Sequence, residues 1–77
     1  MTIALDAIHA NIALIEQRLR CALALSVDAK SAAARGEQNL AIGTLLPVEH
    51  DLADAAALLK AVFVLHRSRA DTASLPH

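Results

Sequence analysis

The chain has 77 residues, of which 56% are hydrophobic and 19% charged, with a net charge of −1. This length allows one domain with a marginal core, and the composition excludes a solvated, disordered chain. The charge balance provides no clustered basic surface of the kind that nucleic-acid binding requires.

Much of the apolar fraction is alanine, and the only aromatic residue is Phe63. Packing must therefore come from Leu, Ile and Val on closely approaching elements rather than from large rings. The single Cys21 has no internal disulfide partner and suits a reducing compartment. The start, Met1 to Asp6, has no basic region ahead of an apolar run, so it does not read as a signal peptide. The most apolar segment, 55–65, is interrupted by Lys60 and is too short to cross a bilayer. The expectation is a cytoplasmic protein with no membrane contact.

In chain order, the first element is a helix over about 3–35. Thr2 is placed as its N-cap and Asp6 near the positive end of its dipole. Leu5, Ile8, Ile12, Ile15, Leu19, Ala22, Ser26, Ala29 and Ala33 recur at alternating three- and four-residue steps, which is a heptad seam. The seam is bulky in its first half and thins to Ala and Ser in its second. Glu16 and Arg20 form an i,i+4 pair on the outside. Gly36 ends the helix as a left-handed cap.

A second helix is predicted over about 37–69, with Leu45, Val48, Leu52, Ala55, Leu59, Val62 and His66 as its seam. Pro47 lacks an amide donor and disfavours a helical residue before it. A kink or break is therefore expected at 43–47, with Thr44 or Leu46 capping a fresh start. Residues 71–77 read as a flexible tail.

Folding back about Gly36 places Leu19 beside Leu52 and Ile8 near Val64. The predicted class is all-α: an antiparallel two-helix hairpin over 1–70, held by Leu5, Ile8, Ile12, Ile15, Leu19, Leu52, Leu59 and Val62. Two helices bury only one stripe each, yet Leu23, Leu25, Leu58, Phe63 and Leu65 lie off that seam. Residues 58–65 are apolar nearly all round, and such a helix is usually buried on every side. These five residues are the expected interface, completing a helical bundle either by oligomerisation, as a homodimer or higher, or against a larger helical-repeat partner.

Candidate chemistry is sparse. Asp6, His9 and His66 approach one another at the open end of the hairpin, but zinc-like ions need three or four convergent donors, and no Glu-x-x-His pair is present. His50 and Asp54 are i,i+4 neighbours and have no nucleophile beside them, so a solvated helix face is the expected reading. No catalytic residue, metal or cofactor is expected, and the chain does not read as an enzyme. The basic residues are spread along both helices. A Rop-like hairpin dimer that binds RNA is thus the alternative to a protein-interaction module.

The segment Gln17-Arg18-Leu19-Arg20-Cys21-Ala22-Leu23, the Ala34-Arg35-Gly36-Glu37-Gln38 turn and the apolar Leu59 to Leu65 run resemble the small co-chaperones of type III secretion needle subunits, the YscE/PscE/AscE-like proteins. These too begin Met-Thr and form two helices joined by a short turn. The chain departs from their pattern at Gly43 to Pro47 and in lacking a Tyr after the turn. The resemblance implies a chaperone role in which the hairpin joins a tetratricopeptide-like partner to hold the needle subunit soluble before export. In that arrangement Leu58, Phe63 and Leu65 would face the partner.

Overall fold

A computed structural model describes residues 3–74, with side chains described over 5–68. Two helices, α1 (Ile3–Ala34) and α2 (Gln38–Ser74), pack against each other as an antiparallel hairpin measuring 65 × 17 × 13 Å. Strong helix formers fill both segments, and no residue between the two ends of either helix stops it.

The connection is short, residues 35–37. Gly36 takes a φ of 78°, a conformation that an L side chain resists. The Glu37 N–H donates to the Ala32 carbonyl at 2.9 Å, and the Gly36 N–H donates to the Ala33 carbonyl at 3.0 Å. This pair of bonds is a Schellman cap, and it satisfies two carbonyls that a helix end would otherwise leave open. Arg35 braces the turn through its Nε, 2.7 Å from Glu37 Oε1, and through the Ser31 hydroxyl at 2.9 Å. The Glu37 carbonyl then accepts from the Ala41 N–H at 3.0 Å as the first helical bond of α2.

Of the kink or break expected at 43–47, the break does not occur: α2 runs unbroken through Pro47. Thr44 caps nothing, because its hydroxyl donates back to the Leu40 carbonyl at 2.7 Å. The proline ring crowds the carbonyl four residues earlier, and here that residue is Gly43. Gly43 is exposed, with nothing within 4 Å of where a Cβ would stand. The backbone there can yield, and water can serve the carbonyl that Pro47 leaves without a donor. The tail expected from residue 71 is also helical as far as Ser74, while 75–77, like Thr2, lie outside the described residues.

Among the described residues the buried core consists of alanine: Ala22, Ala29, Ala32, Ala41 and Ala55. Ala29, Ala32 and Ala41 cluster beside the turn, and Ala32 is only 1% exposed. Small side chains let two helices approach closely, but each buried methyl contributes only about 0.8 kcal/mol. No large side chain is fully buried among the described residues.

Candidate functional site

Half of the expected seam is displaced. Ile8, Ile15 and Ala22 on α1, with Val48, Ala55 and Val62 on α2, are buried or half-buried between the helices. Ile12, Leu19, Leu52 and Leu59, assigned to the same seam, are instead 51%, 47%, 50% and 44% exposed, and Leu5 is exposed too. Their places are taken by Asn11, Arg18, Leu25 and Ala32 from α1 and by Thr44, Asp51, Leu58 and Leu65 from α2, of which Ala32 is buried and the rest half-buried except Arg18, whose side chain remains 42% exposed.

The physical reason is that each helix carries two overlapping stripes, one of Leu and Ile and one in which small and apolar residues alternate with polar ones. Both contain Ile8, Ile15, Ala22 and Ala29, and the rest of each stripe lies on opposite sides of that shared line. One contact can bury only one of them. The stripe ending in Ala32 and Ala41 permits closer backbones. It also places Arg18 Nη1 3.8 Å from Asp51 Oδ1 and Arg18 Nε 3.9 Å from Asp54 Oδ2. The apolar periodicity is stronger in the Leu and Ile stripe, because the contact stripe is interrupted by Asn11, Arg18, Thr44 and Asp51, so the sequence pattern alone favours the stripe that the hairpin leaves exposed.

The unchosen stripe forms the most prominent surface of the hairpin. In an antiparallel pair, positions one step outside the contact on the same side face the same way. Leu5, Ile12 and Leu19 of α1 therefore share a face with Leu45, Leu52 and Leu59 of α2. Leu19 and Leu52 come to one level, as folding about Gly36 predicts, but lie side by side on that face. Towards the turn the face sinks into an apolar groove lined by Ser26, Ala29, Ala33, Gly36, Ala41 and Leu45, with Lys30 and Gln38 also on its walls. The Ser26 hydroxyl donates to the Ala22 carbonyl at 2.7 Å, so the groove floor presents no unpaired hydroxyl proton. Exposed Leu23, Ile42 and Phe63 border the face on its outer edge.

Of the five residues expected to contact a partner, Phe63 and Leu23 are exposed, at 57% and 65%, and both border this face. Leu25, Leu58 and Leu65 are half-buried against the opposite helix and belong to the hairpin contact instead. The exchange has one cause: rotating the contact from one stripe to the other carries these three residues in and carries Ile12, Leu19, Leu52 and Leu59 out.

The opposite side of the hairpin mixes charges with exposed Leu14 and Leu40. Asn11, Leu14, Arg18, Asp54, Ala57, Leu58 and Ala61 line a groove there, crossed by the Arg18 ion pairs. Asp54 faces Arg18 across the helices, and His9, His50 and His66 are exposed. Among the described residues no group of three or more His, Cys, Asp or Glu is placed to hold a metal ion. Cys21 is exposed. No helix among the described residues is long and apolar enough to cross a membrane.

No family model, curated protein or solved structure matches the chain.

Proposed function

We propose that this chain is a small, non-enzymatic, cytoplasmic protein-interaction module that works by covering apolar surface with the Leu5–Ile12–Leu19 and Leu45–Leu52–Leu59 face. One observation carries the reading: three large apolar side chains from each helix lie together on one exposed face, while among the described residues only alanines are fully buried. Apolar patches of that extent on a small protein mark association surfaces. A secretion co-chaperone or assembly factor is the form of this role that the resemblance at the turn and at 17–23 favours. Such a protein holds another one soluble by exchanging apolar surface for contact and performs no chemistry.

The charges favour a protein partner over RNA. Arg18, Arg20 and Arg35 are each held by a carboxylate of the same chain, from Asp51 and Asp54, Glu16 and Glu37 respectively. Cations already paired release fewer counterions on meeting phosphate.

The test is photo-crosslinking in living cells. A photoreactive side chain at position 52, on the face, is expected to yield a discrete adduct, and one at position 27, on the outer side of α1, none. No adduct from position 52, or equal adducts from both, would overturn the reading.

A further inference from the structure

We infer that the occupant of this face is a second copy of the chain. Two hairpins lie face to face with their turns at opposite ends, about a two-fold axis that passes between Leu19 and Leu52. This deepens the proposed function by naming the partner.

Three observations point to the second copy. The first is area. The chain exposes 5901 Å² at 8.1 kDa, whereas a compact monomer of that mass exposes about 4,500 Å². The excess, roughly 1,400 Å², is more than the ~800 Å² that each partner loses in a standard-size interface and suits an obligate pair. A second hairpin laid along the full length of the face is the simplest body that removes this excess.

The second is shape. The face is a ridge at the open end, made by Leu5 and Ile12, and a recess at the turn end, floored by Ser26, Ala29 and Ala33. Ridge and recess are equidistant from Leu19. Turning a second copy end for end therefore brings Leu5 over Ala33 and Ile12 over Ser26, in both directions at once. Large meets small along α1, Leu19 meets its own copy, and Leu52 does the same on α2. At the rim, Phe63 comes opposite Ile42 of the other copy, so two exposed apolar side chains cover each other. A pairing with both turns at one end would lay α1 over α2 of the other copy, setting Ile12 on Leu59 at the open end and Ser26 under Leu45 near the turns, so the bulky Leu5 and Ile12 ridge would no longer meet the small residues of α1.

The third is charge. Taken every seventh residue, the centre line of the face from Leu5 to Ala33 and from Gln38 to Leu59 carries no Asp, Glu, Lys or Arg, and Lys30 stands on the groove wall beside it. A two-fold axis places like residues near like, so a self-complementary face must be neutral along its centre. The charged residues stand outside it, as in a four-helix bundle with alternating helix directions.

The experiment combines mass with a distance. Light scattering on the purified chain is expected to give twice 8.1 kDa. Spin labels on Asn39→Cys, in a Cys21→Ser background, should lie about 45 Å apart in the end-for-end dimer and below about 30 Å with both turns at one end. Leu19→Glu with Leu52→Glu should abolish the dimer, while Val27→Glu on the outer side keeps it. A monomer at 100 µM, any other stoichiometry, a short label distance, or a dimer that survives the double substitution would each overturn the inference. Should the double variant lose its helices, the native mass and the label distance still decide. A monomeric chain that nevertheless forms the position-52 adduct with another protein would remove the second copy and leave the interaction role standing.

Discussion

Arg18 reaches across the hairpin to Asp51, Nη1 to Oδ1 at 3.8 Å, with the aspartate side chain only 14% exposed. A largely buried carboxylate needs a compensating charge, and removing that charge costs more than the pair itself contributes. Arg18→Ala is expected to lower stability by about 1–2 kcal/mol. Arg18→Leu with Asp51→Leu should restore most of it, because two apolar side chains leave nothing unpaired. Urea unfolding followed by circular dichroism at fixed protein concentration checks both.

The two glycines should respond to alanine with opposite signs. Gly36 holds a φ of 78°, so Gly36→Ala should destabilise by about 1–2 kcal/mol. Gly43 lies inside α2 with open space at its Cβ position. Gly43→Ala should therefore stabilise by about 0.5–1 kcal/mol. Thermal melts of the two variants side by side decide this, and a shared sign would contradict the geometry of one of them.

Pro47 leaves the Gly43 carbonyl without its helical donor in an otherwise unbroken helix. Pro47→Ala is expected to raise stability by about 1–3 kcal/mol, towards the full cost of an interior proline. The amide of residue 47 should then become protected in hydrogen exchange. Fast exchange there would mean that α2 is interrupted in solution.

Ala32, at 1% exposure, is the tightest point of the contact. Ala32→Leu should cost about 1–3 kcal/mol through overpacking. Ala33→Leu, one residue on and exposed, should leave the hairpin contact intact and instead weaken the pairing of two copies, because it fills the recess that receives Leu5. The same alanine-to-leucine change at adjacent positions thus reads out which stripe faces inward.

The hairpin itself was legible in the sequence, and its exposed apolar face was not. Gly36 announces the turn, and the residues on either side are such good helix formers that two helices follow. Folding about Gly36 also sets Leu19 and Leu52 at one level. What the pattern misassigned was the angle at which the helices face each other. Leucine and isoleucine form the more conspicuous stripe, yet the contact belongs to alanines with Arg18 and Asp51, whose small size and ion pair depend on three-dimensional closeness. The signal that could have found them was the coincidence of Ala22, Ala29, Ala32, Ala41 and Ala55 with an oppositely charged pair at matching heights. Pro47 by itself leaves a kinked helix and a broken one both open, and the choice of an unbroken α2 turns on the residue four positions back, a glycine.

The alanine cluster beside the Schellman turn also sets the order in which the molecule closes. Ala29, Ala32 and Ala41 lie a few residues either side of Gly36, so their contact closes a short loop and loses little chain entropy. Every later contact is one step farther from the turn, and folding should run as a zipper from there towards both termini. Amide exchange should accordingly be slowest near 29–41 and quicken towards residues 5 and 68 in an isolated hairpin. The end that zips last is the end that carries Leu5, Ile12 and Phe63, so whatever covers those residues also holds the zipper shut.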